Sequence, residues 1–373
     1  MHRIGTLAMV VLATVLALTT APASAAPDPL NPDNPLAAPG PWRASMLATR
    51  ANPELLNHRG ETDPARKAAL GKIALTPRAR WFANCGSCNV STVRQSVASY
   101  VKDAQRGDPS SLVQLAIFGL WPDGEVVRGK RPAMSWSMTR YQNWIKQIAA
   151  GIGSARVAII LEPDLAISAN HGRDGRTMPD PSAATRMRMA AWAAKYLSQT
   201  LPREAIYLDA GSADWLYVDE AVRLLKASGV QYVRGFALGA THYDSVPANV
   251  AFASKVSSAL SSAGMRGKHA VIDTADNGTP FTWAQWNARW GDRFRSTGNE
   301  LYQFDNTPTC RSRTELVCET LGPRPTARIQ GTLARQYVDA YLWFGRGWRW
   351  MQQGGNDPYT KGRSIRMATY TRY

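Results

Sequence analysis

Histidine and cysteine are scarce in this 373-residue chain, at 5 and 4 residues, and lysine plus arginine outnumber the acids 44 to 28. Each shortage excludes something. No histidine falls at ligand spacing near Cys85 and Cys88 or near Cys310 and Cys318, so zinc is the weaker reading of those pairs and no metal is expected. Beyond residue 25 no apolar run approaches the ~20 residues of a membrane-spanning helix, so stable membrane insertion is not expected. The acid deficit leaves a formal charge of +16, which attracts polyanions in general. For an exported chain that means anionic cell-envelope polymers or plain solubility, and nucleic acid is not an expected partner.

Export is read from the first 25 residues. His2 and Arg3 precede an apolar run from Leu7 to Leu18, and Ala23-Ser24-Ala25 offers the small residues a signal peptidase accepts, so cleavage is expected near Ala25. The alternative is an uncleaved anchor, against which stands the lack of a lipoprotein-type cysteine. An oxidising compartment gives the four cysteines meaning as bridges. Of three connectivities the two local ones, Cys85 with Cys88 and Cys310 with Cys318, are favoured because each pair sits within one loop-like segment.

Residues 26–41, rich in Pro, Asn, Asp and Ala without apolar periodicity, read as an extended arm. The remainder, 42–373, reads as one domain. Buried-strand runs recur at Leu112 to Phe118, Val157 to Leu161, Ala205 to Leu208, Tyr232 to Leu238, Ala270 to Asp273 and Tyr341 to Phe344. Helical patterns lie between them, such as Pro181 to Ser198 and Val218 to Ser228, the latter closed by Gly229. This alternation predicts an α/β fold, a parallel sheet closed or nearly closed into a barrel, with its chemistry at the carboxyl ends of the strands.

Four such ends carry polar or small residues. The run Ile159-Ile160-Leu161-Glu162-Pro163-Asp164 ends in two carboxylates, and burial at a strand end raises a carboxyl pKa toward what a general acid needs. A helix cap or a loop salt bridge would use the same residues. Tyr207-Leu208-Asp209-Ala210-Gly211 leads to Asp214 and Trp215, the carboxylate and flat indole that carbohydrate sites combine, although Trp215 could also be ordinary core. The third end is His269-Ala270-Val271-Ile272-Asp273-Thr274, followed by Asn277-Gly278, and the fourth is Arg234-Gly235-Phe236-Ala237-Leu238. His242 and Asp273 can be read either as site residues or as structural hydrogen-bonding groups.

Together with Leu321-Gly322, Pro325-Thr326 and Val338-Asp339-Ala340-Tyr341-Leu342-Trp343, these motifs in this order resemble glycoside hydrolase family 6, the cellobiohydrolases and β-1,4-endoglucanases, from about Trp81 to Trp343. The resemblance implies a distorted, partly open parallel β/α barrel of about seven strands, with inverting hydrolysis of β-1,4-glucan and no cofactor. By position Asp164 matches the family's proton donor. Trp81 and Trp215 match indoles lining sugar subsites, and His242 falls where a substrate-contacting asparagine is usual. Trp121, Asp273 and Trp343 complete the candidate substrate-binding set.

Two departures stand beside the matches. An Arg-Asp-Cys motif is expected after the first core strand, but the chain reads Gly119-Leu120-Trp121-Pro122-Asp123-Gly124-Glu125, with Trp121 at the aspartate position. After Trp343 the expected Lys and Glu-x-Asp-Gly are replaced by Phe344-Gly345-Arg346-Gly347-Trp348-Arg349-Trp350, with no carboxylate until Asp357. An inverting enzyme needs a base about 6.5–9.5 Å from its acid, and the sequence leaves that base unassigned, with Asp123 and Asp209 as candidates. The expectation is a secreted, monomeric β-glycan hydrolase acting on β-glucan or a cell-envelope glycan. Its alternative is a glycan-binding protein that keeps the barrel and indoles without turnover.

Overall fold

The computed structural model describes residues 33–83, 90–120, 137–169, 183–240, 242–295, 307–349 and 361–373. Seven strands form one parallel sheet in sequence order: β1 (Arg80–Ala83), β2 (Val113–Phe118), β3 (Val157–Leu161), β4 (Glu204–Asp209), β5 (Gly235–Leu238), β6 (His269–Asp273) and β7 (Val338–Leu342). Strands β2, β3, β5 and β6 are buried along their whole length, as their unbroken apolar runs require of a sheet covered on both faces.

Alternation along each strand sorts the core in two. Ala116, Ala158, Ile160, Tyr207, Ala237, Val271 and Ala340 pack together inside the curled sheet. Their neighbours Leu115, Ile117, Ile159, Leu161, Ile206, Leu208, Phe236 and Ile272 pack outward against the helices. The helices Met138–Ile152, Ala183–Thr200, Val218–Ala227 and Val246–Ser262 lie between successive strands. Gly229, with φ of +90°, ends the third of these as expected, because a left-handed residue there carries no Cβ penalty.

The sheet curls until its two edges approach without a ladder. Ala79 donates its N–H to the Trp343 carbonyl at 2.8 Å, and the Trp81 indole N–H reaches the Phe344 carbonyl at 2.7 Å. β1 was not among the expected strands, since four residues starting with arginine carry little apolar signal. Two expected boundaries also move. Tyr232 belongs to a short 3-10 turn, Val230–Tyr232, and the ladder starts only at Gly235. The last strand ends at Leu342, because the Phe344 and Gly345 amides are taken by the Asp273 carboxylate and leave the ladder.

Residues 33–41 do more than an extended arm would. Leu36 is buried with the inner core, Asn34 donates to the Asp339 carbonyl, and the Arg156 guanidinium gathers the carbonyls of Pro35, Leu36 and Pro39. Polar composition hid this, because the backbone supplies most of the docking groups. Cys310 and Cys318 form the expected local disulfide, and Cys85 and Cys88 lie outside the described residues.

Candidate active site

The tip of β3 is built on left-handed backbone, with φ of +57° at Glu162 and +68° at Asp164, an uncommon conformation for side chains of this size. Strand alternation would send Glu162 inward beside Ile160. The turn instead carries its carboxylate outside the sheet, where it accepts the Tyr141 hydroxyl at 2.7 Å and the Gly119 and Leu120 amides at 2.9 and 2.7 Å. Burial pushes Glu162 up to about 7 despite these donors. The fully buried acid of the Glu-Pro-Asp tip is therefore Glu162, and it serves the chain: it pins the backbone from which the segment after β2 departs. Arg186 holds the same point from the other side, with Nε 2.9 Å from the Leu120 carbonyl.

Asp164 is only half buried, and the 3-10 turn Leu165–Ala169 starts directly behind it. Its charge is felt at Asp209, at the end of β4, and at Arg346, in the segment after β7. Asp209 is buried. One oxygen accepts the Ala166 amide at 3.1 Å, and the other, Oδ1, has no hydrogen-bond partner among the described residues. Burial, then the neighbouring Asp164 charge, push Asp209 up to about 7. The structure thus brings together two of the three acids expected to be catalytic; Asp123, with Trp121, lies outside the described residues.

Past β4 a polar network holds an aromatic surface. The Asp214 carboxylate contacts His242 Nδ1 at 2.7 Å and accepts the Trp283 amide at 2.7 Å. Asp244 accepts the Ser212 hydroxyl at 2.6 Å and the Asp214 amide at 3.0 Å. Burial pulls Asp214 upward, but the His242 charge together with the hydrogen bonds from His242, Asp244 and the Trp283 amide leaves Asp214 below its usual value, while burial and Asp214 together raise Asp244. His242 in turn stacks on Trp215, rings 4.7 Å apart and 12° from parallel. Asp214, His242 and Asp244 place ligand atoms within 4.8 Å of one another, as a metal would need, but each is already engaged with a protein partner.

Three other expected site residues are differently employed. Asp273 is buried and its oxygens receive the Ala275, Phe344 and Gly345 amides at 3.1, 3.1 and 2.7 Å, so it clamps the segment after β7 and presents no oxygen to a ligand. Gly345 is required there, because a Cβ would overlap Asp273. Trp343 is 2 % exposed, gives its N–H to the Pro323 carbonyl and packs on Trp348, which makes it core. Trp81 is half buried, and the Arg346 guanidinium covers a face of its ring at 3.9 Å. Arg346 was missed as a site residue; only the missing carboxylates after Trp343 drew attention to the segment that carries it.

Residues 43–348 match the profile of the glycosyl hydrolases family 6. The chain belongs to this family. It is 34 % identical over 213 residues to endoglucanase A of Cellulomonas fimi and 32 % identical over 226 residues to endoglucanase A of Thermobispora bispora, spans of 57 % and 60 % of this chain. It covers 42 % and 46 % of those two relatives, less than half their length. With endoglucanase 1 of Streptomyces halstedii it shares 27 % over 278 residues, 74 % of this chain and 79 % of the relative. Among solved structures, the endoglucanase Cel6 of Mycobacterium tuberculosis, in complex with a thio-linked methyl cellobiosyl-cellobioside, superposes with a TM-score of 0.66 at 23 % identity, over 90 % of this chain and 99 % of that one. The glycosyl hydrolases family 6 barrel is thus the fold seen here, with an arginine-rich segment after β7.

Proposed function

We propose that this family 6 protein is an exported hydrolase of β-1,4-linked glycan, in which Asp164 protonates the leaving oxygen in an inverting reaction. The observation that carries the reading is the pairing of Asp164 with buried Asp209 at the mouth of the barrel. Asp209 keeps its proton up to about pH 7, so a proton is stored directly beside the acid. Trp215, held by His242 and Asp214, offers the flat apolar face on which a pyranose stacks. The solved endoglucanase binding a cellobioside analogue supports a cello-oligosaccharide lying across the same mouth.

The base is left to Asp123 or Asp209, and Glu162 and Arg186 fix Leu120, the last described residue before Asp123. Export fits the leader-like start of the chain, and no helix among the described residues is long and apolar enough to cross a membrane. Purified protein is expected to release reducing ends from a soluble β-1,4-glucan, with Asp164→Asn lowering kcat at least about 100-fold while oligosaccharide binding persists. Equal rates for parent and variant would remove Asp164 from the mechanism.

The alternative, glycan binding without turnover, draws support from Arg346 standing where a carboxylate-bearing segment was expected. Calorimetric binding of cellotetraose with no product from any β-glycan would favour it.

A further inference from the structure

Where the edges of the sheet meet, β1, the segment 45–54 and the segment after β7 enclose a cavity of about 140 Å³. Four arginines line it, Arg78, Arg80, Arg346 and Arg349, against a single acid, Glu54. The pairing among them is uneven. Arg349 binds Glu54 through Nε at 2.6 Å, and Arg78 sits 3.4 Å from the same carboxylate while also gathering the carbonyls of Ile73, Ala74 and Thr76. Glu54 is thereby spent.

Arg80 and Arg346 have no such partner among the described residues. Arg80 rests on aromatic faces, 5.2 Å from the Phe82 ring and 5.4 Å from the Tyr100 ring. The one further acid that acts on it, Asp103, is tied to the Ser45 hydroxyl and the Met46 amide at 2.7 and 2.8 Å. Arg346 lies flat on Trp81, and its Nε is buried with no hydrogen-bond partner among the described residues. Burial, then the Arg349 charge, lower Arg346 to about 9, more than the Glu54 and Asp164 charges offset. A buried guanidinium donor left unbonded is costly, and a ligand oxyanion with two acceptor oxygens relieves that cost.

We propose that this cavity is an anion subsite continuous with the glycan cleft, and that the preferred substrate is an acidic β-glycan whose carboxylate is held between Arg80 and Arg346. The inference rests on the reading of the cleft as a glycan site. A glucose unit offers only hydroxyls to this cavity, whereas a glucuronate offers the planar, two-oxygen partner that a guanidinium fork matches. The link to the cleft is Arg346 itself, which touches Trp81 and feels the Asp164 charge. Arg346 therefore lines the anion cavity within range of the acid's charge.

The test is calorimetric titration of the full chain with cellotetraose, with the matching β-1,4-tetraglucuronate and with inorganic phosphate. The same titrations are run on Arg80→Gln, Arg346→Gln and, as a control for bulk charge, Arg335→Gln at an exposed position on the helix Thr332–Tyr337. The tetraglucuronate should bind the parent at least tenfold more tightly than cellotetraose. Each cavity variant should lose that preference, its tetraglucuronate affinity falling to that variant's own affinity for cellotetraose, and Arg335→Gln should retain it. Melting temperatures show whether each variant is folded, and either cavity variant alone decides the matter if the other is not. Equal affinity for the two oligosaccharides, or a preference that survives in a folded cavity variant, overturns the anion subsite and leaves the glycan site standing. Phosphate binding as tightly as the tetraglucuronate overturns the substrate class, since the cavity would then serve a free anion. Binding of neither oligosaccharide defeats both this inference and the hydrolase reading.

Discussion

Two corners of the barrel mouth handle charge in opposite ways. At the ends of β4 and β5, Ser212, Asp214, His242 and Asp244 engage one another and nearby backbone amides, and the result is a fixed stack of His242 on Trp215. At the seam between β1 and the segment after β7, guanidinium groups outnumber carboxylates among the described residues, and Arg346 keeps a buried donor with no hydrogen-bond partner among them. A satisfied network makes a rigid platform whose product is shape. An unsatisfied one retains free energy of interaction for a ligand. The first corner is the one proposed for sugar stacking and the second the one proposed for charge recognition.

The hardest test of this contrast strikes Glu54, the one acid among the described residues that line the seam. Glu54 is 1 % exposed and binds Arg349, Arg78 and the Trp348 indole N–H, the last at 2.8 Å. Glu54→Gln would leave buried arginines facing one another, and equilibrium unfolding in urea should show a loss of about 3–5 kcal/mol. Against the pull of burial, Arg349 and Arg78 hold the Glu54 carboxyl down at about 2. Its folded pKa being depressed, its contribution is present above the unfolded value and fades only as pH falls toward 2. A near-neutral Glu54→Gln would show that the seam is not held by this acid.

Asp209 should behave in the reverse sense. Its folded pKa, about 7, lies above the unfolded value, so the stability it contributes is full in acid and declines as pH rises through 7. Asp209→Asn should flatten that decline, gaining roughly 1 kcal/mol or more on the parent between pH 5 and pH 8 in paired unfolding curves. Parallel pH profiles for the two proteins would argue against a stored proton.

An effect well below that at Glu54 is expected at the satisfied corner. His242→Ala removes the ring that backs Trp215 while leaving the indole in place, and cellotetraose affinity should fall about tenfold, or about 1.4 kcal/mol, with kcat little changed. A fall in kcat at constant KM would instead make His242 part of the chemistry.

Much of the barrel was legible because its strands are buried on both faces. Val157–Leu161 matches its expected run residue for residue, and Asp164 and Asp209 lie at the strand ends where chemistry was sought. Legibility failed where composition and placement diverge. Glu162 and Asp164 look equivalent in sequence, and only the positive φ at Glu162 sends one carboxylate out to Tyr141 and leaves the other at the mouth. Trp81, Trp215 and Trp343 are likewise alike as letters, but one lies under an arginine, one under a histidine, and one is core.

The amino-acid order alone determined the alternation of buried strands and helices, the family and the acid-bearing tips, since these follow from local apolar pattern and short contiguous motifs. Tertiary structure decided which charges are paired. Glu54, Arg78, Arg80, Arg346 and Arg349 come from three stretches of chain that meet only when the sheet curls its edges together. Electrostatic balance depends on distance in space, so the unmatched pair of arginines could not be read before the fold was known.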